Sequence, residues 1–166
     1  KISYWFVSHT DNDHISGLME AIDAGYPVEH VVFAKHGLKE AEGCREFLKK
    51  LEEHKIPVLF LEEEDCMYFG ESSMTCLFPD ADYEKEDVNA RSMILRYESE
   101  NFSAIFTGDI SSEEEAYLLE KENIKEVSLY KAAHHGSKYS NSEGFLRKLS
   151  PRISVISYGK NNHYGH

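Results

Sequence analysis

Residues 8–14 read Ser-His-Thr-Asp-Asn-Asp-His and set four potential metal ligands, His9, Asp11, Asp13 and His14, within six positions. Residues 2–7 ahead of them are β-branched and aromatic, the composition of a buried strand. Residues 15–22 behind them carry apolar side chains at helical spacing. A chain with this order is constrained to run strand, ligand turn, helix, with the ligands gathered at one end of the strand. On an extended turn alternate residues project to one side, so His9 and Asp11 are expected to point together while Asp13 and His14 reach elsewhere. Imidazole and carboxylate are ligands that suit zinc, manganese and iron, and such a segment can serve two neighbouring ions. The competing reading is a chance cluster of solvated turn residues. Four ligand types directly after a buried strand argue against it.

The same alternation continues downstream. Residues 28–34 read as a second strand, residues 39–55 as an amphipathic helix with Ala41, Cys44, Phe47, Leu48 and Leu51 on its apolar face, and residues 57–61 as a third strand. This β-α-β-α-β order favours an α/β layer. Residues 67–69, 74–78, 92–97 and 102–106 then read as short strands joined by turns at residues 70–72 and 99–101. Between them residues 79–87 form a polar stretch without periodicity, read as a solvated connection, with a cover over a site as the alternative. Ser111 or Ser112 can cap a helix whose Glu113, Glu114 and Glu115 suit the helix dipole. A strand at 127–133, a loop at 134–137, a helix at 142–149 and a strand at 153–157 complete the reading. No internal repeat is visible, and residues 1–166 are expected to form one domain.

Composition narrows the functional classes. The net charge is −12, the wrong sign for tight sequence-independent phosphate binding, which rests on lysine and arginine releasing counterions. A nucleic-acid substrate would have to be held locally. No apolar run approaches the ~20 residues of a membrane helix. Cys44, Cys66 and Cys76 lack Cys-x-x-Cys spacing and are read as buried free thiols, which points weakly to a reducing compartment. The chain opens inside an apparent strand, with no signal peptide in view, and is expected to be a fragment.

The segment His9-Thr10-Asp11-Asn12-Asp13-His14 resembles the His-x-His/Asp-x-Asp-His signature of the metallo-β-lactamase superfamily. Thr107-Gly108-Asp109 at a strand end is similar to the superfamily's bridging aspartate, and Asn89 stands where many members carry a third histidine. Lys131-Ala132-Ala133-His134-His135-Gly136-Ser137 and the closing residues 157–166 resemble the C-terminal hydrolase domain of ComEC/Rec2 competence proteins. The resemblance implies an α/β fold, the metallo-β-lactamase αββα sandwich, here lacking the superfamily's N-terminal strands, which would be absent or supplied from elsewhere. It implies two divalent metal ions, zinc or manganese. His9 and Asp11 would hold one, Asp13 and His14 the other, and Asp109 would bridge. His134 is the first choice to complete the set, with His135 and His166 as alternates. Aspartate for histidine at residue 11 and asparagine at residue 89 make the site more oxygen-rich than a tri-histidine site, which brings manganese into contention.

The function implied is metal-dependent hydrolysis, with Asp13 and Asp109 as the catalytic carboxylates and a phosphodiester, as in DNA, as the substrate. Asn89, Arg91, His135, Ser137 and Lys138 are candidates to hold it. Hydrolysis of a small ester, lactone or thioester is the alternative, and a non-catalytic accessory module of a DNA-uptake protein is a third reading. A free-standing protein of this kind would be cytoplasmic, and one belonging to a competence channel would lie outside the membrane. His30, His36 and His54 fall away from the motif order and are read as structural or solvated.

Overall fold

The computed structural model describes residues 1–38, 42–121 and 124–159. The start of the predicted helix at 39–55, with Ala41, lies outside the described residues, as does the closing segment with His166.

Two sheets are packed face to face. Strands β1 (Trp5–Phe6), β2 (Val31–Ala34) and β3 (Val58–Leu61) form a parallel sheet in the order β1-β2-β3. Helices α1 (Asn12–Asp23) and α2 (Glu42–Glu53) make the crossovers. Strands β4 (Cys66–Phe69), β5 (Ser72–Phe78), β6 (Ile94–Ser99), β7 (Phe102–Phe106), β8 (Leu129–Lys131) and β9 (Ile153–Val155) form the second sheet, in sequence order. Its first four strands are antiparallel neighbours, while β7, β8 and β9 run parallel, linked by helices α3 (Ser112–Glu120) and α4 (Glu143–Leu149).

The apolar pattern dictates this layering. All four β2 residues are buried, and because neighbours on a strand face opposite ways, they serve two cores. Val31 and Phe33 pack with Ile15, Leu18 and Ile22 of α1 and Phe47 and Leu51 of α2. Val32 and Ala34 meet Leu61, Cys76 and Leu95 between the sheets. Ile94, Ile105 and Tyr130 on the far face of the second sheet bury Leu118 of α3 and Phe145 and Leu149 of α4. The result is a helix, sheet, sheet, helix sandwich. Burying side chains of this size stabilises by roughly 1.5–3 kcal/mol each, which spreads stability over three cores.

The cysteines are free, with Cys44 and Cys76 buried and Cys66 half-buried beside Thr75. His30 stacks on Tyr4 at 5.2 Å between ring centroids, a structural role.

The polar stretch at 79–87 keeps residues 81, 82 and 84–87 exposed, in line with its solvated reading, yet it is tied down at Asp80 and Tyr83. Asp80 is buried and accepts from Tyr117 Oη at 2.6 Å and from the Lys121 ammonium, and Tyr83 donates to Glu114. Nor are the three glutamates of α3 dipole partners alone. Glu114 completes a capping box with Ser111, and the buried Glu115 accepts from the backbone N–H groups of Asn141 and Ser142. These ties clamp the stretch to α3 and the α4 entrance to the same helix.

Candidate metal centre

Parallel strands bring their carboxyl ends to one edge of a sheet, where ligands gather. The segments after β1, β7, β8 and β9 all meet there, joined by the entry to β6. Backbone bonds lock them together: Met93 N–H donates to Ser8 carbonyl at 2.8 Å, and His134 N–H to Gly108 carbonyl at 3.0 Å.

Helix α1 begins earlier than apolar spacing indicates. Asp11 is its N-cap, and the His14 and Ile15 amides already donate to the Asp11 carbonyl. Asp13 and His14 therefore stand in the first helical turn, whereas His9 precedes it. The Asp11 carboxylate makes no capping bond and faces the cleft instead, with Oδ2 3.8 Å from His9 Nε2.

Two sets of ligand atoms converge. His9, His14 and Asp109 form one, and Asp13, His14 and His135 the other, each with its atoms within 4.8 Å of one another. His14 Nε2 lies 3.3 Å from Asp109 Oδ1, 3.2 Å from His135 Nε2 and 3.8 Å from Asp13 Oδ2. His135 Nε2 lies 3.1 Å from Asp13 Oδ2 and 3.3 Å from Asp109 Oδ2.

His135, an alternate in the sequence reading, joins this core, and the first choice His134 stands at its edge, with Nε2 3.9 Å from Asp109 Oδ2. The reason lies in the backbone. Both histidines adopt left-handed conformations, φ 46° and 55°, followed by Gly136 at 85°. Each non-glycine residue held so costs about 1–3 kcal/mol, and the turn they make swings His135 inward. His166 lies outside the described residues.

The rings are held so that one nitrogen of each faces the cluster. Ser157 carbonyl, which can only accept, lies 2.8 Å from His135 Nδ1, so Nδ1 carries the proton and Nε2 the lone pair in the neutral ring. Ser8 Oγ sits 3.1 Å from His9 Nδ1 and 3.2 Å from His14 Nδ1, and Ser92 Oγ lies 3.2 Å from His9 Nδ1. A hydroxyl has two lone pairs, so Ser8 can accept from both Nδ1–H groups while both Nε2 atoms face inward. Ser92 also accepts from the Asp109 backbone N–H at 3.0 Å.

These atoms fit a cation. His9 Nε2 and Asp109 Oδ1 are buried and have no hydrogen-bond partner among the described residues, an arrangement that ordinarily costs about 1–3 kcal/mol per group. Burial, with His14 beside it, pushes His9 down to about 4, which keeps the ring neutral as a ligand must be. Burial alone would raise the Asp109 carboxyl, but the surrounding imidazoles of His14, His9 and His135 bring it down to about 2. Lone pairs and carboxylates facing one another need shared positive charge at the centre. Replacing Ser8 with alanine removes the acceptor that orients two rings, and affinity for zinc or manganese is expected to fall about 10- to 100-fold in a competition titration.

Part of the cluster opens onto a cleft of about 860 Å³ lined by Asp11, Asp13, Asn89, Asp109, His134 and His135, with Ser137, Lys138, Tyr139 and residues 157–159 along its wall. Asn89 Oδ1 is buried with no partner among the described residues. Arg91 is not at the cleft, contrary to its expected role. Its guanidinium donates to the carbonyls of Lys85, His36 and Tyr83, which makes it a staple between the 79–91 stretch and the exit of β2. The sequence reading also missed Ser8 and Ser92, for which the only signal was a hydroxyl beside each ligand segment.

No family model matches the chain. It is 31% identical over 161 residues to the ComE operon protein 3 of Bacillus subtilis, covering 96% of this chain and 20% of that protein. It is 35% identical over 81 residues to the competence protein ComA of Neisseria gonorrhoeae, covering 48% of this chain and 12% of that protein. The chain thus spans about a fifth or less of these relatives. Among solved structures, CmlA, a diiron β-hydroxylase from Streptomyces venezuelae, superposes with a TM-score of 0.62 at 16% identity, over 94% of this chain and 35% of CmlA. The metallo-β-lactamase fold protein YhfI of Bacillus subtilis superposes with a TM-score of 0.52 at 10% identity, over 94% of this chain and 66% of YhfI. This chain is a metallo-β-lactamase-fold domain homologous to a segment of the competence proteins.

Proposed function

We propose that this domain is a metal-dependent phosphodiesterase that hydrolyses DNA. The observation that carries the reading is the meeting of two ligand sets at His14, whose partners Asp13, Asp109 and His135 line an open cleft. His9, His14 and Asp109, and Asp13, His14 and His135, would hold divalent cations there, with Asp11 at the edge of the first set. Such cations supply Lewis acidity and a lowered pKa for water at neutral pH, so that no protein nucleophile is needed.

The chain's own groups perform the rest. The Ser157 carbonyl fixes the His135 tautomer, and Ser8 and Ser92 hold the His9 and His14 rings in orientation. Lys138 is the cation among the described residues of the cleft wall and would offer its ammonium to a phosphate oxygen. His134 Nε2, near Asp109 but at the edge of the cluster, is placed to pass a proton to the leaving oxygen. Asn89 lines the same cleft, with its amide oxygen buried and without a partner among the described residues. Kinship with competence proteins supports DNA as the substrate class.

One observation favours a second reading. Three carboxylates, Asp11, Asp13 and Asp109, share the described cleft lining with one lysine, Lys138, a balance kinder to a small neutral ester or lactone than to a polyanion. Manganese- or zinc-loaded protein incubated in parallel with oligodeoxynucleotides and with lactone and thioester substrates separates the two. Hydrolysis of the oligonucleotide, lost on chelation and in Asp13→Ala, is the expected result. Turnover of the ester series alone would transfer the site to the second reading, and absence of both turnover and bound metal would make this an accessory module.

A further inference from the structure

The cleft has a polar floor and an aromatic rim. Tyr139 and Tyr158 are the phenol rings among its described lining residues. They are 66% and 61% exposed, so two flat apolar faces stand in solvent beside the ligand cluster. Both are tied to the site through the backbone. Tyr139 N–H donates to Ser137 Oγ at 3.3 Å, and Tyr158 directly follows Ser157, whose carbonyl holds His135. The Lys138 ammonium lies 5.0 Å from the Tyr139 ring centroid, so a cation and a ring are presented together.

The charge balance makes these rings decisive. A chain of net charge −12, whose described cleft lining holds three carboxylates and one lysine, offers little of the counterion release that basic grooves exploit. A nucleobase on an aromatic face needs no such charge, and each stacked base strengthens binding by roughly fivefold or more. Bases in a duplex already stack on their neighbours and must be pulled out before they can use such a face.

Resting on the phosphodiesterase reading, we propose that Tyr139 and Tyr158 are stacking platforms for unpaired bases flanking the bound phosphodiester, so that the site selects single-stranded DNA over duplex and over base-free phosphodiesters. Lys138 then contacts the backbone phosphate beside the base on Tyr139.

The test compares an oligothymidylate with an abasic strand carrying the same number of phosphates, and with a duplex. Binding is read by fluorescence anisotropy in chelator at low and moderate salt, and cleavage after metal loading, for the wild type and for Tyr139→Ala, Tyr158→Ala and the corresponding phenylalanine variants. Oligothymidylate is expected to bind at least tenfold more tightly than the abasic strand with little salt dependence, and to be cleaved faster than either comparator. Each alanine variant is expected to lower the preference roughly fivefold or more, and phenylalanine, which keeps the ring, to retain it. Equal binding and equal cleavage of thymidylate and abasic strands would overturn the stacking role while upholding the phosphodiesterase. A tyrosine-dependent base preference without cleavage would uphold stacking and overturn the phosphodiesterase. Neither binding nor cleavage would overturn both.

Discussion

Replacing Asp109 with asparagine is expected to lower hydrolysis by about 10³-fold or more and to abolish the thermal stabilisation that metal confers. The side chain keeps its shape but loses the charge that faces His14, His134 and His135. In the metal-free protein the substitution costs some stability, because a carboxyl that the surrounding imidazoles hold down at about 2 loses its charge, and scans without metal read that cost alone. The difference emerges on loading. Metal at 100 times its dissociation constant stabilises a folded protein by about 2.7 kcal/mol, which for a chain of this length corresponds to roughly 5–10 °C in Tm. Thermal scans with and without manganese or zinc, together with metal content, read this directly. A variant that keeps both its metal-dependent shift and its turnover would remove Asp109 from the centre.

Substituting Gly108 with alanine is expected to be the most damaging single methyl group in the chain. Gly108 has φ +54°, and a Cβ built there would sit 2.5 Å from Ser92 Cβ, 2.7 Å from Ser92 Oγ and 3.0 Å from Ser8 Cβ. The left-handed backbone alone costs an alanine about 1–2 kcal/mol, and crowding a packed site adds about 1–3 kcal/mol. Together these lower Tm by roughly 5–15 °C. The two serines that must move are those that orient His9 and His14, so metal affinity falls as well, by about 10- to 100-fold. Gly70 supplies the control, since it has φ +64° and a Cβ added there would meet nothing within 4 Å. Gly70→Ala should show the backbone cost alone and leave metal affinity unchanged. Equal effects at the two glycines would show that crowding against Ser92 plays no part.

What the sequence made legible was whatever local pattern encodes. Apolar runs located the strands because most of them bury at least one face, β9 being exposed throughout, and the helical spacing of Ile15, Leu18 and Ile22 located α1. The order of elements indicates only an α/β layer; the helix, sheet, sheet, helix sandwich is what the resemblance to the metallo-β-lactamase superfamily implies. The start of α1 was placed too late because apolar periodicity begins at Ile15, whereas the backbone bonds that open the helix begin at Asp11. His134 was preferred to His135 because it stands closer to a strand. No local pattern announces that two successive histidines will adopt left-handed backbone and reverse which of them points inward.

Arg91 was read as a phosphate ligand because a guanidinium beside a site usually is one. Here three carbonyls from separate parts of the chain consume it. The 79–87 stretch lacked periodicity, yet Asp80 and Tyr83 anchor it by long-range bonds to α3. Ser8 and Ser92 were invisible for the same reason. A hydroxyl becomes part of a metal centre only through the imidazole it meets across the fold.

His14 stands in both ligand sets, yet with Nδ1 directed at Ser8 it has a single inward lone pair to give. The first ion to claim that nitrogen leaves the second with a poorer set of donors. Two cations in this centre would therefore be unequal tenants, one retained through dilution and the other exchanging with the medium. The looser position is the one that the supply of metal in the surroundings can fill or empty, which would make occupancy, and any activity that needs both ions, answer to that supply.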